Sequence, residues 1–172
     1  MNTFLIIILA ACLIGLALII IYTLIIPKVL SNSFENNLKQ YLDNNQISYN
    51  LEPSKNRLFN LELTINETIY LLKIINIPNN AEVQVNNMTT WEVKYGAGNH
   101  PGKAQPNHKY LSGIAGFMNY KPQTNEKRIV VMTPKSKKIV MYINECEIVF
   151  VTPTTNVYGV NIINMDDFQI FK

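Results

Sequence analysis

Nine basic residues, Lys94, Lys103, Lys109, Lys121, Lys127, Arg128, Lys135, Lys137 and Lys138, fall between positions 93 and 138 beside a single acidic one, Glu126. The stretches before and after this block are each net acidic, so the net charge of +3 comes from it. Clustered Lys and Arg are the electrostatic footprint of a phosphate-binding surface, which points to a polyanion such as nucleic acid. The alternative is a solvated lysine-rich face. Lys94, Lys103, Lys109, Lys135, Lys137 and Lys138 are the candidate binding residues. Other chemistry is thinly supplied. His100 and His108 have no closely spaced Cys, His or Asp to complete a zinc site, so no metal ligand set is assigned. Gly96-x-Gly98 lacks the third glycine of a dinucleotide loop. Cys12 lies in an apolar segment and Cys146 stands alone in the remainder, which leaves neither a disulfide framework nor a Cys/His or Ser/His/Asp constellation.

The elements that must position these side chains follow from periodicity. Phe34, Leu38, Tyr41 and Leu42 recur at helical spacing behind the N-cap candidates Ser31, Asn32 and Ser33. Residues 47–52, 58–65, 68–77 and 82–93 read as strands, and Leu61, Leu63 and Ile65 alternate with Glu62 and Thr64 as a half-buried strand does. Residues 95–106 hold Gly96, Gly98, Pro101, Gly102 and Pro106 and read as a loop. Tyr110, Leu111, Ile114, Phe117 and Met118 predict a second helix from Asn107. A short strand over 128–132, a helix over 135–144 with Ile139, Val140 and Ile143 inward, and a strand over 147–151 predict a right-handed parallel crossover. The fold class expected is an α/β sandwich with helices against a mixed central sheet.

Phe4 and Ile26 bound 23 residues without a charge, which at 1.5 Å per helical residue spans the roughly 30 Å hydrocarbon core of a bilayer. Residues 1–27 are therefore expected to be a single transmembrane anchor ended by Pro27, and residues 28–172 one soluble domain. Three uncharged residues ahead of the run do not make the basic n-region of a cleaved signal. Leu9-Ala10-Ala11-Cys12 resembles a lipoprotein box, but the apolar run continues past the cysteine where a polar tether belongs. Lys28 and Lys39 follow the anchor and no side-chain charge precedes it, so the soluble domain is expected in the cytoplasm. Anionic lipid headgroups beside the anchor are then a second possible partner, with the chain acting as a structural or assembly subunit.

The element order, with Phe59-Asn60-Leu61, Leu71-Leu72-Lys73, Trp91 and the run from Pro101 to Gln105 followed by His108, resembles the restriction-endonuclease-like PD-(D/E)xK fold, and within it the nuclease-related domain known as NERD. The resemblance implies a nuclease core whose family pattern is Asp on the second strand, Glu-x-Lys on the third, and a Gln near the second helix. Here Asn60 and Leu71 stand at the two carboxylate positions, while Lys73 and Gln105 match. Carboxylates hold the Mg²⁺ that polarises the phosphodiester in such enzymes. The resemblance thus implies a nuclease fold that has lost its chemistry and needs no cofactor. The alternative is a Mg²⁺-dependent nuclease that uses Glu62, two residues from Asn60 on the same strand face, with Lys73 and Gln105.

Overall fold

The computed structural model describes residues 3–98, 100, 102–144 and 147–171. Its first feature is one helix in three segments: α1 (Thr3–Ile20), a π turn (Ile21–Ile25) and α2 (Ile26–Asn44). Pro27 does not end it. A proline has no N–H to give and its ring collides with the carbonyl four residues back, here that of Thr23. The π turn widens the helix at that point, with the N–H of Ile26 donating to Ile21 O, five residues back. The chain therefore passes from a stretch long and apolar enough to cross a membrane straight into α2.

Ten strands follow among the described residues: β1 (Tyr49–Pro53), β2 (Leu61–Ile65), β3 (Thr68–Asn76), β4 (Glu82–Val85), β5 (Trp91–Tyr95), β6 (Asn107–Tyr110), β7 (Glu126–Thr133), β8 (Lys138–Asn144), β9 (Glu147–Phe150) and β10 (Val160–Asn164). The short helix α3 (Ile114–Asn119) lies between β6 and β7. They form two mixed sheets, not one: β1-β2-β3-β7-β10 and β6-β5-β4-β8-β9. In the first, β3, β7 and β10 run parallel; in the second, β4 and β8 do. The parallel pair β3/β7 turns a corner at Pro78 and Pro134 and continues as β4/β8. Ile77 N–H donates to Thr133 O and Lys137 N–H to Ala81 O, both at 2.8 Å, so the two corners are bonded side by side.

Alternation along the strands makes three layers. Leu71, Val130, Met132, Val160 and Ile162 of the first sheet pack with Val83, Val85, Trp91, Val93 and Ile139 of the second. The opposite face of the first sheet presents Leu61, Leu63, Leu72, Ile74, Ile129 and Val131 to Phe34, Leu38 and Leu42 of α2. At about 25 cal/mol per Å² of apolar area, three fully buried side chains of this size fix the helix to the sheet by several kcal/mol. The structure is thus α and β with two mixed sheets in place of one central sheet, the expected strand over 82–93 is the antiparallel pair β4 and β5, and three further expectations need correction. Residues 138–144 are strand, because Ile139 and Met141 alternate with Val140 and Tyr142 on its two faces, a pattern that helical periodicity also fits. The expected crossover is accordingly an antiparallel β8/β9 hairpin. Residues 107–110 are strand too, and the helix starts only after Gly113, whose φ of +79° breaks the chain direction.

Candidate anion-binding interface

The positions that resemble a nuclease site are used structurally. Asn60 precedes β2 and its Oδ1 accepts from the Ile74 N–H at 2.8 Å, adding a rung to the β2/β3 ladder. Leu71 is buried between the sheets. Glu62 lies opposite Leu71 on β3 and accepts a bond from the Ser54 hydroxyl at 2.5 Å. Lys73 shares that inner face, is half-buried, and has no ion-pair partner among the described residues; burial holds its ammonium below the usual lysine value. Gln105 is elsewhere. Its Oε1 accepts from Ala97 N–H at 2.8 Å and its Nε2 donates to Asn80 O at 3.4 Å, which ties the 96–106 loop to the Pro78 corner. Glu62, Lys73 and Gln105 are joined by no hydrogen bond. No group of three His, Cys, Asp or Glu is placed to hold a metal ion among the described residues.

The basic block divides. Arg128 is buried on β7, where Nη1 donates to the carbonyls of Phe117, Met118 and Tyr120 at 3.1, 2.8 and 2.9 Å and Nη2 to Gly159 O at 3.4 Å. Its guanidinium lies over the Phe117 ring, Nε has no acceptor, and burial lowers its pKa. It closes the C-terminal end of α3, leaving no face for a ligand. Gly159, at φ +82°, fits because a Cβ there would lie 3.1 Å from Nη2. Lys127 reaches over the Tyr70 ring on the α2 side of the first sheet. Lys94 lies on the outer face of the second sheet, 3.9 Å from Glu92, which also meets His108 Nδ1 at 2.8 Å. Lys121 is exposed just after α3.

The remaining lysines gather around the two corners. Lys109 of β6 lines a cavity of about 360 Å³ with Tyr22, Ile26, Pro27 and Leu30 of the helix and with Asn79 and Pro134 of the corners. Lys135 and Lys137 line a second cavity that shares Asn79 and Pro134 with the first. Exposed Lys103 stands two residues before Gln105, which binds the same corner. Carboxylates offset part of this charge: Asp166 meets Lys135 at 3.1 Å, its hydrogen bond raising the lysine pKa, and Glu82 meets Lys137 and Lys138 at 3.6 and 3.1 Å. Lys28, Lys103 and Lys109 make no ion pair among the described residues. Lys28, in α2, directly follows Pro27 and lines neither cavity. A third cavity, at Pro153, Thr154, Asp166 and Asp167, carries two carboxylates and no basic side chain among the described residues. Cys146 lies outside the described residues.

No family model, curated protein or solved structure matches this chain.

Proposed function

We propose that this protein is a membrane-tethered, non-catalytic module that binds a polyanion at the end of the domain from which the helix emerges. One observation carries this reading: β6 and the two proline corners bring Lys109 against the helix where its uncharged run ends, at Tyr22 to Leu30, with Lys135 and Lys137 lining the adjoining cavity. Basic side chains at that level face either a soluble polyanion such as nucleic acid or the anionic headgroups of the leaflet, and each Lys near such a surface adds attraction that decays within a Debye length. The anionic cytoplasmic leaflet suits this arrangement, in line with Lys28 directly following the run. The test is binding of the full chain in detergent to an oligonucleotide and to anionic vesicles at two salt concentrations, with Lys109→Gln, Lys135→Gln and Lys137→Gln combined. Affinity that falls with salt and with the triple change supports the reading; binding indifferent to both sinks it.

A second reading, a Mg²⁺-dependent nuclease of restriction-endonuclease-like fold, is favoured by the placement of Glu62 and Lys73 on one face of the mixed first sheet. Tyr120 lies near Glu62, its phenol pKa raised by a hydrogen bond to Glu126, by burial, and by the charges of Glu126 and Glu62. Against it, Leu71 and Asn60 leave a prospective cation short of anionic oxygen. Metal-dependent cleavage abolished by Glu62→Gln is the result that promotes this reading over the first.

A further inference from the structure

The cavity beside the helix is placed by the helix itself. Its wall from Tyr22 to Leu30 rises about 12 Å, and Tyr22 and Ile26 belong to the uncharged run while Lys28 carries the next charge. If that run fills the hydrocarbon core, the Tyr22 end of the cavity opens among acyl chains and the Leu30 end lies in the headgroup layer, where Tyr and Lys side chains anchor spans. The far wall is polar at the same level: Lys109, free of any ion pair among the described residues, stands with Asn76 and Asn79 and the Pro78 and Pro134 corners. A hollow with an apolar side continuous with the membrane and a cationic side at phosphate height matches one class of molecule in both respects.

We infer that this cavity seats one anionic phospholipid of the surrounding bilayer, its phosphate at Lys109 and its glycerol and upper acyl segments against Tyr22, Ile26 and Leu30. The inference rests on the tethered, polyanion-binding reading and names its ligand. The volume of about 360 Å³ suits a headgroup with its glycerol, leaving the acyl tails along α1. Lys135 and Lys137 of the adjoining cavity add diffuse attraction, partly offset by Asp166 and Glu82. Lys109 lacks such an offset, so it dominates the selectivity for negative charge.

The test uses the full chain in detergent, with phosphatidylglycerol and phosphatidylcholine titrated separately and bound lipid counted by native mass spectrometry. One phosphatidylglycerol per chain is expected, held in preference to phosphatidylcholine. Lys109→Gln should weaken it about fivefold, the effect of one lysine at an anionic surface. Leu30→Trp should exclude the lipid by filling the apolar side without changing charge. Lys55→Gln, in the loop between β1 and β2, removes the same charge outside the cavity and should change nothing. Equal binding of the two lipids, equal losses in Lys109→Gln and Lys55→Gln, or full retention in both cavity variants would overturn the inference. An oligonucleotide bound without lipid would also overturn it while leaving the polyanion reading standing; binding of neither ligand would remove both.

Discussion

Replacing Arg128 separates the two roles that the basic block confounds. Arg128→Met keeps an unbranched stem over Phe117 but removes three bonds of 2.8 to 3.1 Å to the carbonyls of Phe117, Met118 and Tyr120. Hydrogen bonds from a charged donor are worth about 1.5–3 kcal/mol each, against which stands a desolvation cost of several kcal/mol for a guanidinium with no carboxylate beside it. Carbonyls left buried cost about 1–3 kcal/mol apiece, except that Tyr120 is half-exposed and its carbonyl can recover water. The net loss expected is about 2–4 kcal/mol, which for a domain of this size lowers Tm by roughly 5–15 °C. Trp91, the single tryptophan and fully buried between the sheets, reports the transition by fluorescence. Polyanion affinity, measured well below both midpoints, should stay as in the wild type. Unchanged stability, or an affinity loss equal to that of Lys109→Gln, would refute the assignment of Arg128 to the interior.

Four other outcomes are expected. Leu38→Ala should cost about 2–5 kcal/mol, since Leu38 is buried between α2 and the first sheet, whereas Leu18→Ala in the exposed apolar stretch should leave domain unfolding unchanged. Lys73→Met should raise Tm at neutral pH. Burial lowers the folded-state pKa of Lys73 below 10.5, so the unfolded state binds more protons between that lowered value and 10.5. Wild-type stability therefore gains with rising pH through that window, and the advantage of Lys73→Met should shrink there; a constant difference between the two proteins across it contradicts the assignment. The full chain should cleave neither single- nor double-stranded DNA with Mg²⁺ or Mn²⁺. A reporter fused after Lys172 should be active in the cytoplasm, and efficient activity across the membrane would reverse the orientation.

What the sequence reveals depends on whether one periodicity stands alone. The apolar run from Phe4 is legible without any partner element, and it forms a helix long and apolar enough to cross a membrane. Leu61, Leu63 and Ile65 alternate cleanly because β2 has one face on α2 and the other half-exposed. Residues 138–144 misled because Ile139, Val140 and Ile143 satisfy a helical spacing as well as a strand, and only the pairing with β4 and β9 decides. Pro27 read as a terminus because the π turn that accommodates it leaves no residue signature. Among the candidate site residues, the convergence of Lys109, Lys135 and Lys137 was implied by charge density alone. Nothing local separated them from Arg128, whose partners are backbone carbonyls some ten residues earlier and at Gly159.

The uninterrupted passage from α1 through the π turn into α2 makes the chain a lever. A domain on a disordered linker would tumble independently of its anchor, but here α2 is pinned to the first sheet by Phe34, Leu38 and Leu42. The 19 residues of α2 measure about 28 Å, so for a helix seated in a bilayer every 10° by which its apolar stretch leans would displace the far end of α2 by about 5 Å parallel to the bilayer plane. Apolar spans lean more as the hydrocarbon layer thins. If the apolar stretch sits in a bilayer, the thickness of that bilayer would set the height and attitude of the two sheets, and the outer face of the second sheet, with Tyr110 and Phe150 exposed on it, would sweep with them.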